Sequence, residues 1–257
     1  DQSWPLKQRT FAKIANRIYK FYQKDLRQNN EMDFCDMINL AVKLLKTNPN
    51  FYKDKFSHIL VDEYQDISNQ RYQLINELMK KNKDSKLFCV GDDWQSIMGF
   101  SGSNIKFFVE FEKYFSHHVR TDLTKNYRSV KEIVDTGAQI IKHNGEVQLK
   151  KETKAHRTDN GFLTVFSSMH TEGYKERYLP QVCSHAVNKI KELFDKGYKP
   201  KDIMCLSRIT ANPMFVNTLI NMAKNSGIKI AKNTRSSNEI PLLSVHKSKG
   251  LESKIVF

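Results

Sequence analysis

Asp62 and Glu63 stand side by side where an apolar run ends, in the stretch ILVDEYQD at residues 59–66. A second apolar run ends in Asp92, Asp93 and Gln95, within FCVGDDWQS at residues 88–96. Short apolar runs that stop abruptly in acidic and amide side chains are how buried parallel strands look when they end at a working site. Neighbouring positions on a strand send their side chains to opposite sides. One of the two carboxylates can therefore hold a Mg²⁺ ion while the other orients or deprotonates a water. Gln95, arriving from the second run, can hydrogen-bond the same water or a terminal phosphate. Together these residue types suit phosphoryl transfer to water.

Such groups need a frame. Between the two runs, Leu74, Ile75, Leu78 and Met79 recur at helical spacing, Asp66 or Ser68 can cap the helix, and a lysine-rich turn at 80–86 closes it. Strand, helix, strand is the expected unit. Both carboxylate clusters then emerge at one edge of a parallel sheet, the edge at which open α/β sheets bind their ligands.

VDEYQD, GDDWQSIMGFSGS, LTKNYRS at 123–129 and SVHKSKGLE at 244–252 follow one another in this order. The set resembles motifs II, III, IV and V of UvrD/Rep-type superfamily 1 DNA helicases. Trp94 and the short interval between NYRS and the last motif are similar to the helicase IV branch. The resemblance implies an α/β fold of two recA-like P-loop NTPase domains with mainly parallel sheets, the first incomplete. It divides the chain into a helical segment (1–50), part of the first recA-like domain (51–116) and the second recA-like domain (117–257). ATP and Mg²⁺ are the implied cofactors, with Asp62 on the metal, Glu63 on the attacking water, and Gln95 and Arg128 on the γ-phosphate. Tyr127 would stack on the base and Glu252 would bond the ribose, while loop amides near Gly250 suit phosphates. The implied partner is single-stranded or partly duplex DNA, met by Phe100, His246 and Lys247, with movement from 3′ to 5′.

The pattern departs from the family in places. Met98 stands where an aromatic follows QSI, and Ser101 replaces an arginine, leaving Phe100 as the ring able to stack on a base. Lys247 occupies a position where a small residue is common, and Ser253 one where an aromatic often follows Glu252. A Gly-x-x-x-x-Gly-Lys-Ser/Thr loop, whose amides and lysine cradle phosphates, does not occur in the sequence. The chain is thus expected to be an internal piece of a longer helicase, with little ATPase activity alone. Two other readings stay open: a non-catalytic nucleic-acid-binding or interaction module that keeps the fold, and the helicase half of a nuclease-helicase.

Composition points the same way. Lys and Arg number 42 against 28 Asp and Glu, and the net charge of +14 favours polyanionic partners, nucleic acid first. No run approaches the length of about 20 apolar residues that a membrane helix needs, and no signal-peptide pattern opens the chain, so a soluble, cytoplasmic protein is expected. Cys35, Cys89, Cys183 and Cys205 lack Cys-x-x-Cys spacing. A zinc site is therefore not expected, and Cys89 and Cys205, inside expected buried strands, read as core thiols in a reducing compartment.

Helical spacing over 10–26 and after Asp33 predicts two helices beside the first sheet. A strand near 118–123 would deliver NYRS, with Ser129 and Glu132 forming a capping box for the next helix. The polar, lysine-rich stretch 143–160 reads as an exposed connection. Beyond it the pattern predicts a strand at 162–168, a long helix closing at Phe194 with Gly197 beyond, strands at 203–208 and 228–231, a helix over 213–223, and a last strand ending at His246.

Overall fold

The computed structural model describes residues 5–166, 175–208, 213–233 and 236–257. Two compact units divide the chain: Asp1–Lys125 with Gly137–Thr153, and Asn126–Thr136 with Lys154–Phe257. The fold is mixed α/β with parallel sheets.

The first unit opens with α1 (Leu6–Gln28) and α2 (Phe34–Thr47). Asp33 caps α2 through a reciprocal box with Asp36, accepting its backbone N–H at 2.7 Å. Val42 and Leu45 are buried where α2 packs on α3 (Asn69–Lys81). α1 behaves differently: none of its residues is buried, and Phe11, Ile14 and Ile18 lie exposed. Its expected packing beside the sheet is therefore not found. Hydrogen bonds from Tyr22 to Asp33 and from Gln23 to Asp36 tie it to the start of α2 instead.

β1 (His58–Val61) and β2 (Lys86–Cys89) pair in parallel, Ile59 opposite Leu87 and Val61 opposite Cys89. α3 connects them, its first turn capped by Ser68. Asn82 fixes the return: its Oδ1 accepts the Lys55 and Phe56 N–H groups at 2.7 and 2.9 Å, and its amide donates to Leu78 O. On one face of the sheet Val61, Leu87 and Cys89 pack against Tyr64, Ile67, Ile75 and Phe107. The opposite face carries Leu60 and Phe88, paired in register and 71% and 61% exposed. These strands are thus covered on one side only, where fully buried ones were expected. The two-residue period sends neighbouring side chains to opposite faces, and among the described residues Ile75 and Met79 of the connecting helix and Phe107 and Phe108 pack on the side of the odd-numbered residues.

After β2 the chain forms two short helices, α4 (Lys106–Val109) and α5 (Phe111–Tyr114). Residues 118–123 form no strand, and Val119 and Leu123 are exposed. Pairing resumes only at β3 (Lys125–Asn126), followed by α6 (Lys131–Ile141) and by β4 (Lys154–Ala155), which bonds to β3. Residues 162–166 are irregular where a strand was expected, and the rest of that stretch lies outside the described residues.

The second unit holds α7 (Lys175–Asp195), β5 (Ile203–Ser207), α8 (Pro213–Asn225), β6 (Ile230–Lys232), β7 (Ile240–Ser244) and β8 (Ile255–Val256). The strands lie in the order β6-β7-β5-β8, every pair parallel. α7 continues through Pro180 and ends at Gly197, whose φ of +90° permits the Tyr198 N–H to reach Leu193 O at 3.0 Å. Cys183, Val187 and Ile190 of α7 and Val216 and Leu219 of α8 pack against Ile203, Cys205, Ile240 and Leu242. Burial pushes the Cys205 thiol up to about 12, so it behaves as an apolar core group. No described helix is long and apolar enough to cross a membrane.

Candidate functional site

The ladder between β1 and β2 continues beyond the strands, with Val90 N–H donating to Val61 O and Tyr64 N–H donating to Val90 O, each at 2.9 Å. This places the DEYQD turn and the GDDWQ turn at one edge. Asp62 is exposed there, its Oδ1 accepting the Glu63 N–H at 2.8 Å. Glu63 takes the left-handed conformation, φ +52° and ψ +39°. That geometry costs a residue with a Cβ about 1–2 kcal/mol and persists only where its surroundings over-determine it.

Gln65 supplies part of that determination. It is 1% exposed; its Nε2 donates to Glu63 Oε2 at 2.5 Å and its Oε1 accepts the Asp92 N–H at 3.0 Å. Space for it depends on Gly91, since a Cβ there would lie 2.5 Å from Gln65 Oε1 and 2.7 Å from the Phe108 ring. Asp92 then passes the network on. Its Oδ1 accepts the Trp94 N–H at 3.1 Å and its Oδ2 accepts Gln95 Nε2 at 2.8 Å. Glu63, Gln65, Asp92 and Gln95 thus form one bonded series joining the ends of two neighbouring strands.

Lys151 closes the series from below. Its ammonium, on a side chain 17% exposed, pairs with Asp92 and lies 2.6 Å from Asp93 Oδ1. It also sits 4.8 Å from the centre of the Trp94 ring. Asp93 is buried, and its second oxygen accepts the Leu149 N–H at 2.8 Å. Burial pushes the Asp92 carboxyl up, but hydrogen bonds from Lys151 and Gln95 and the Lys151 charge outweigh it and hold the group below the usual carboxylate range. The stretch 143–160 is therefore not simply an exposed connection. At Lys151 it is built into the site, because two adjacent carboxylates, one of them buried, need a cation.

Asp62 is an exposed hard-oxygen donor at the carboxyl end of a strand. No three His, Cys, Asp or Glu side chains converge as a metal cage among the described residues. That donor set fits Mg²⁺ arriving with a nucleotide, since such ions take one or two carboxylates and complete their shell with phosphate oxygens and water. Phe100 lies in the turn Gly99–Ser101 and is 73% exposed, outside the hydrophobic core.

In the second unit Asn126 Oδ1 accepts the N–H groups of Arg128 and Ser129 at 3.0 and 2.9 Å, folding NYRS into a tight turn. The expected Ser129–Glu132 box is displaced by this arrangement, because α6 begins only at Lys131 and Ser129 falls short of the capping position. Arg128 Nε meets Glu252 Oε2 at 2.8 Å, with the two side chains 66% and 69% exposed. The exposed Tyr127 ring packs on His156 at 4.5 Å, and Arg157 donates to Arg128 O at 3.0 Å. Gly250 holds φ +76° in the turn after β7, where Ser244 O accepts the N–H groups of Lys247 and Ser248. In that turn His246 is half-buried and Lys247 exposed.

The first unit therefore gathers Asp62, Glu63 and Gln95, and the second gathers Tyr127, Arg128 and Glu252 near the turn that holds Gly250, His246 and Lys247. Gln65 and Lys151 were not picked out from the sequence. Gln65 lies inside DEYQD and was open to suspicion as a buried amide between two acids. Nothing around Lys151, one of many lysines in a polar stretch, distinguishes it.

Residues 2–116 match the UvrD/REP helicase N-terminal domain. Over 207 residues the chain is 31% identical to YjcD of Bacillus subtilis, covering 79% of this chain and 26% of YjcD. The ATP-dependent DNA helicase PcrA of Staphylococcus epidermidis is 39% identical over 138 residues, 52% of this chain and 19% of PcrA. PcrA of Staphylococcus aureus is 32% identical over 203 residues, 78% of this chain and 26% of PcrA. The chain spans about a quarter or less of the length of these relatives.

Proposed function

Since this chain belongs to the UvrD/Rep-type helicase family, we propose that it is part of an ATP-dependent DNA helicase that moves along single-stranded DNA from 3′ to 5′. In this reading residues 51–116 contribute to a first recA-like domain, residues 117–257 form a second, and 1–50 are a helical segment ahead of them. The observation that carries it is the bonded series Glu63–Gln65–Asp92–Gln95 at the carboxyl edge of β1 and β2. A carboxylate held rigidly beside an amide suits the positioning of a water for in-line attack on a phosphoryl group.

Each group has one task. Mg²⁺ held by Asp62 would neutralise charge on the phosphates of ATP. Glu63 orients the water and takes its proton, its carboxylate steered by Gln65. Gln95 presents its amide to the water or the γ-phosphate. In the second unit Arg128 supplies a guanidinium to phosphate, Tyr127 a ring to the base, Glu252 a carboxylate to the ribose and Gly250 a loop that lets amides approach phosphate. Phe100, His246 and Lys247 face DNA, through stacking in the first case and backbone contact in the others. By itself this chain, which has no phosphate-cradling loop in its sequence, is expected to hydrolyse little ATP.

ATP hydrolysis by the full gene product, with and without single-stranded DNA, tests the proposal. Glu63→Gln is expected to lower turnover by at least about 100-fold while sparing nucleotide binding. Undiminished turnover would remove Glu63 from the mechanism. Strand displacement on duplexes with 3′ or 5′ tails reads the direction.

A further inference from the structure

We propose that Lys151 is a positioning residue for Gln95, acting through Asp92; the inference rests on the hydrolytic role given to Gln95 above. The carboxylate of Asp92 is shared between them. One oxygen takes the Lys151 ammonium and the Trp94 N–H, and the other takes the Gln95 amide at 2.8 Å. With both oxygens engaged, the carboxylate plane is fixed, and so is the amide bonded to it.

The ammonium itself is enclosed. Asp93 approaches it to 2.6 Å and the Trp94 ring to 4.8 Å, and the Leu149 N–H bonded to Asp93 pins the backbone two residues before Lys151. Without the cation, two adjacent carboxylates would face each other in a partly dry site. Asp93 is fully buried at its side chain and cannot reach water, whereas Asp92 is 38% exposed. The cheapest relief is for Asp92 to swing outward, taking the acceptor of Gln95 with it. A lysine outside every helicase motif, 56 residues beyond Gln95 in sequence, thereby decides where a motif residue points.

The test is a double-mutant cycle on ATP turnover by the full gene product, with Lys151→Met, Gln95→Ala and the pair, beside Glu63→Gln as a control. Lys151→Met is expected to lower kcat by about 10-fold to 100-fold, the scale of a misplaced catalytic group, with KM for ATP changed far less. In the Gln95→Ala background the same substitution should cost little more, because its effect runs through Gln95. Lys151→Arg, which keeps the charge, should recover part of the loss. If circular dichroism shows Lys151→Met unfolded at the assay temperature, Lys151→Gln takes its place in the cycle. Additive losses, or turnover within twofold of the parent, would overturn the proposal. An active Glu63→Gln enzyme would instead overturn the hydrolytic reading on which it rests, and the two failures are distinguishable.

Discussion

In the first unit Asp92 and Asp93 share an ammonium on a side chain 17% exposed, whereas in the second Arg128 and Glu252 meet with both side chains about two-thirds in solvent. Both are ion pairs between candidate site residues or their neighbours, yet they obey different energetics. A shielded cluster is screened little and every group in it must be satisfied, so it holds one geometry. An exposed pair competes with water and salt at nearly every moment and contributes little. The first arrangement suits groups that must already be aimed before a reaction begins. The second suits groups that exchange one partner for another, as Arg128 and Glu252 would on meeting phosphate and ribose.

Removing Asp93 should be the most damaging single change on the shielded side. Asp93→Ala strips the Leu149 N–H and one contact of Lys151 where the carboxylate itself is fully buried, and an expected loss of about 3 kcal/mol follows from breaking a buried pair. Denaturant unfolding of the variant measures it; a loss near zero would erase the contrast between the two units. Gly91→Ala comes next. A methyl 2.5 Å from Gln65 Oε1 and 2.7 Å from Phe108 has no room, and overpacking of this kind costs about 1–3 kcal/mol while displacing the partner of Glu63. Reduced turnover with a lowered melting temperature is the expected pair of results.

Acid should act selectively. The folded state holds the Asp92 carboxyl below its ordinary value, so its stabilising contribution is complete above the unfolded value of about 4 and is lost as pH falls through the lowered folded value. Hydrogen exchange at the amides of β1, β2 and the GDDWQ turn, followed downward from neutral pH, should show protection lost in that acid range. The smallest effect is expected at the exposed pair. Glu252→Ala should change stability by less than about 1 kcal/mol, a difference that added salt reduces further. A larger, salt-insensitive loss would mean that the Arg128–Glu252 pair is as rigid as the shielded cluster.

Much of the frame was legible from residue patterns. Asp33 and Ser68 cap helices because short polar side chains satisfy free N–H groups locally, and Gly197 ends α7 because a left-handed turn needs no Cβ. The strands at 203–208 and 228–231 are found, as continuous apolar runs in a parallel sheet should be. Where the reading failed, a non-local partner was needed. Val119 and Leu123 look like strand residues but lie exposed and in no strand among the described residues, and the apolar stripe of α1 has none of its residues buried. Ser129 had the right spacing for a capping box, yet α6 starts only at Lys131, and the Ser129 N–H that Glu132 would have taken goes to Asn126, three residues earlier.

Sequence alone determined which chemistry is on offer: carboxylates and an amide at the ends of apolar runs, an arginine in a turn, and the order of four motifs that mark the UvrD/Rep-type family. These are properties of neighbours along the chain, where spacing and residue type carry the information. Tertiary structure decided how the groups are held. It brought Gln65 between Glu63 and Asp92, set Lys151 beneath Asp92 and Asp93, and joined Arg128 to Glu252. Hydrogen bonds and ion pairs act over a few ångströms in space whatever the separation in sequence, and a lysine in a polar stretch looks like any other until a fold encloses it.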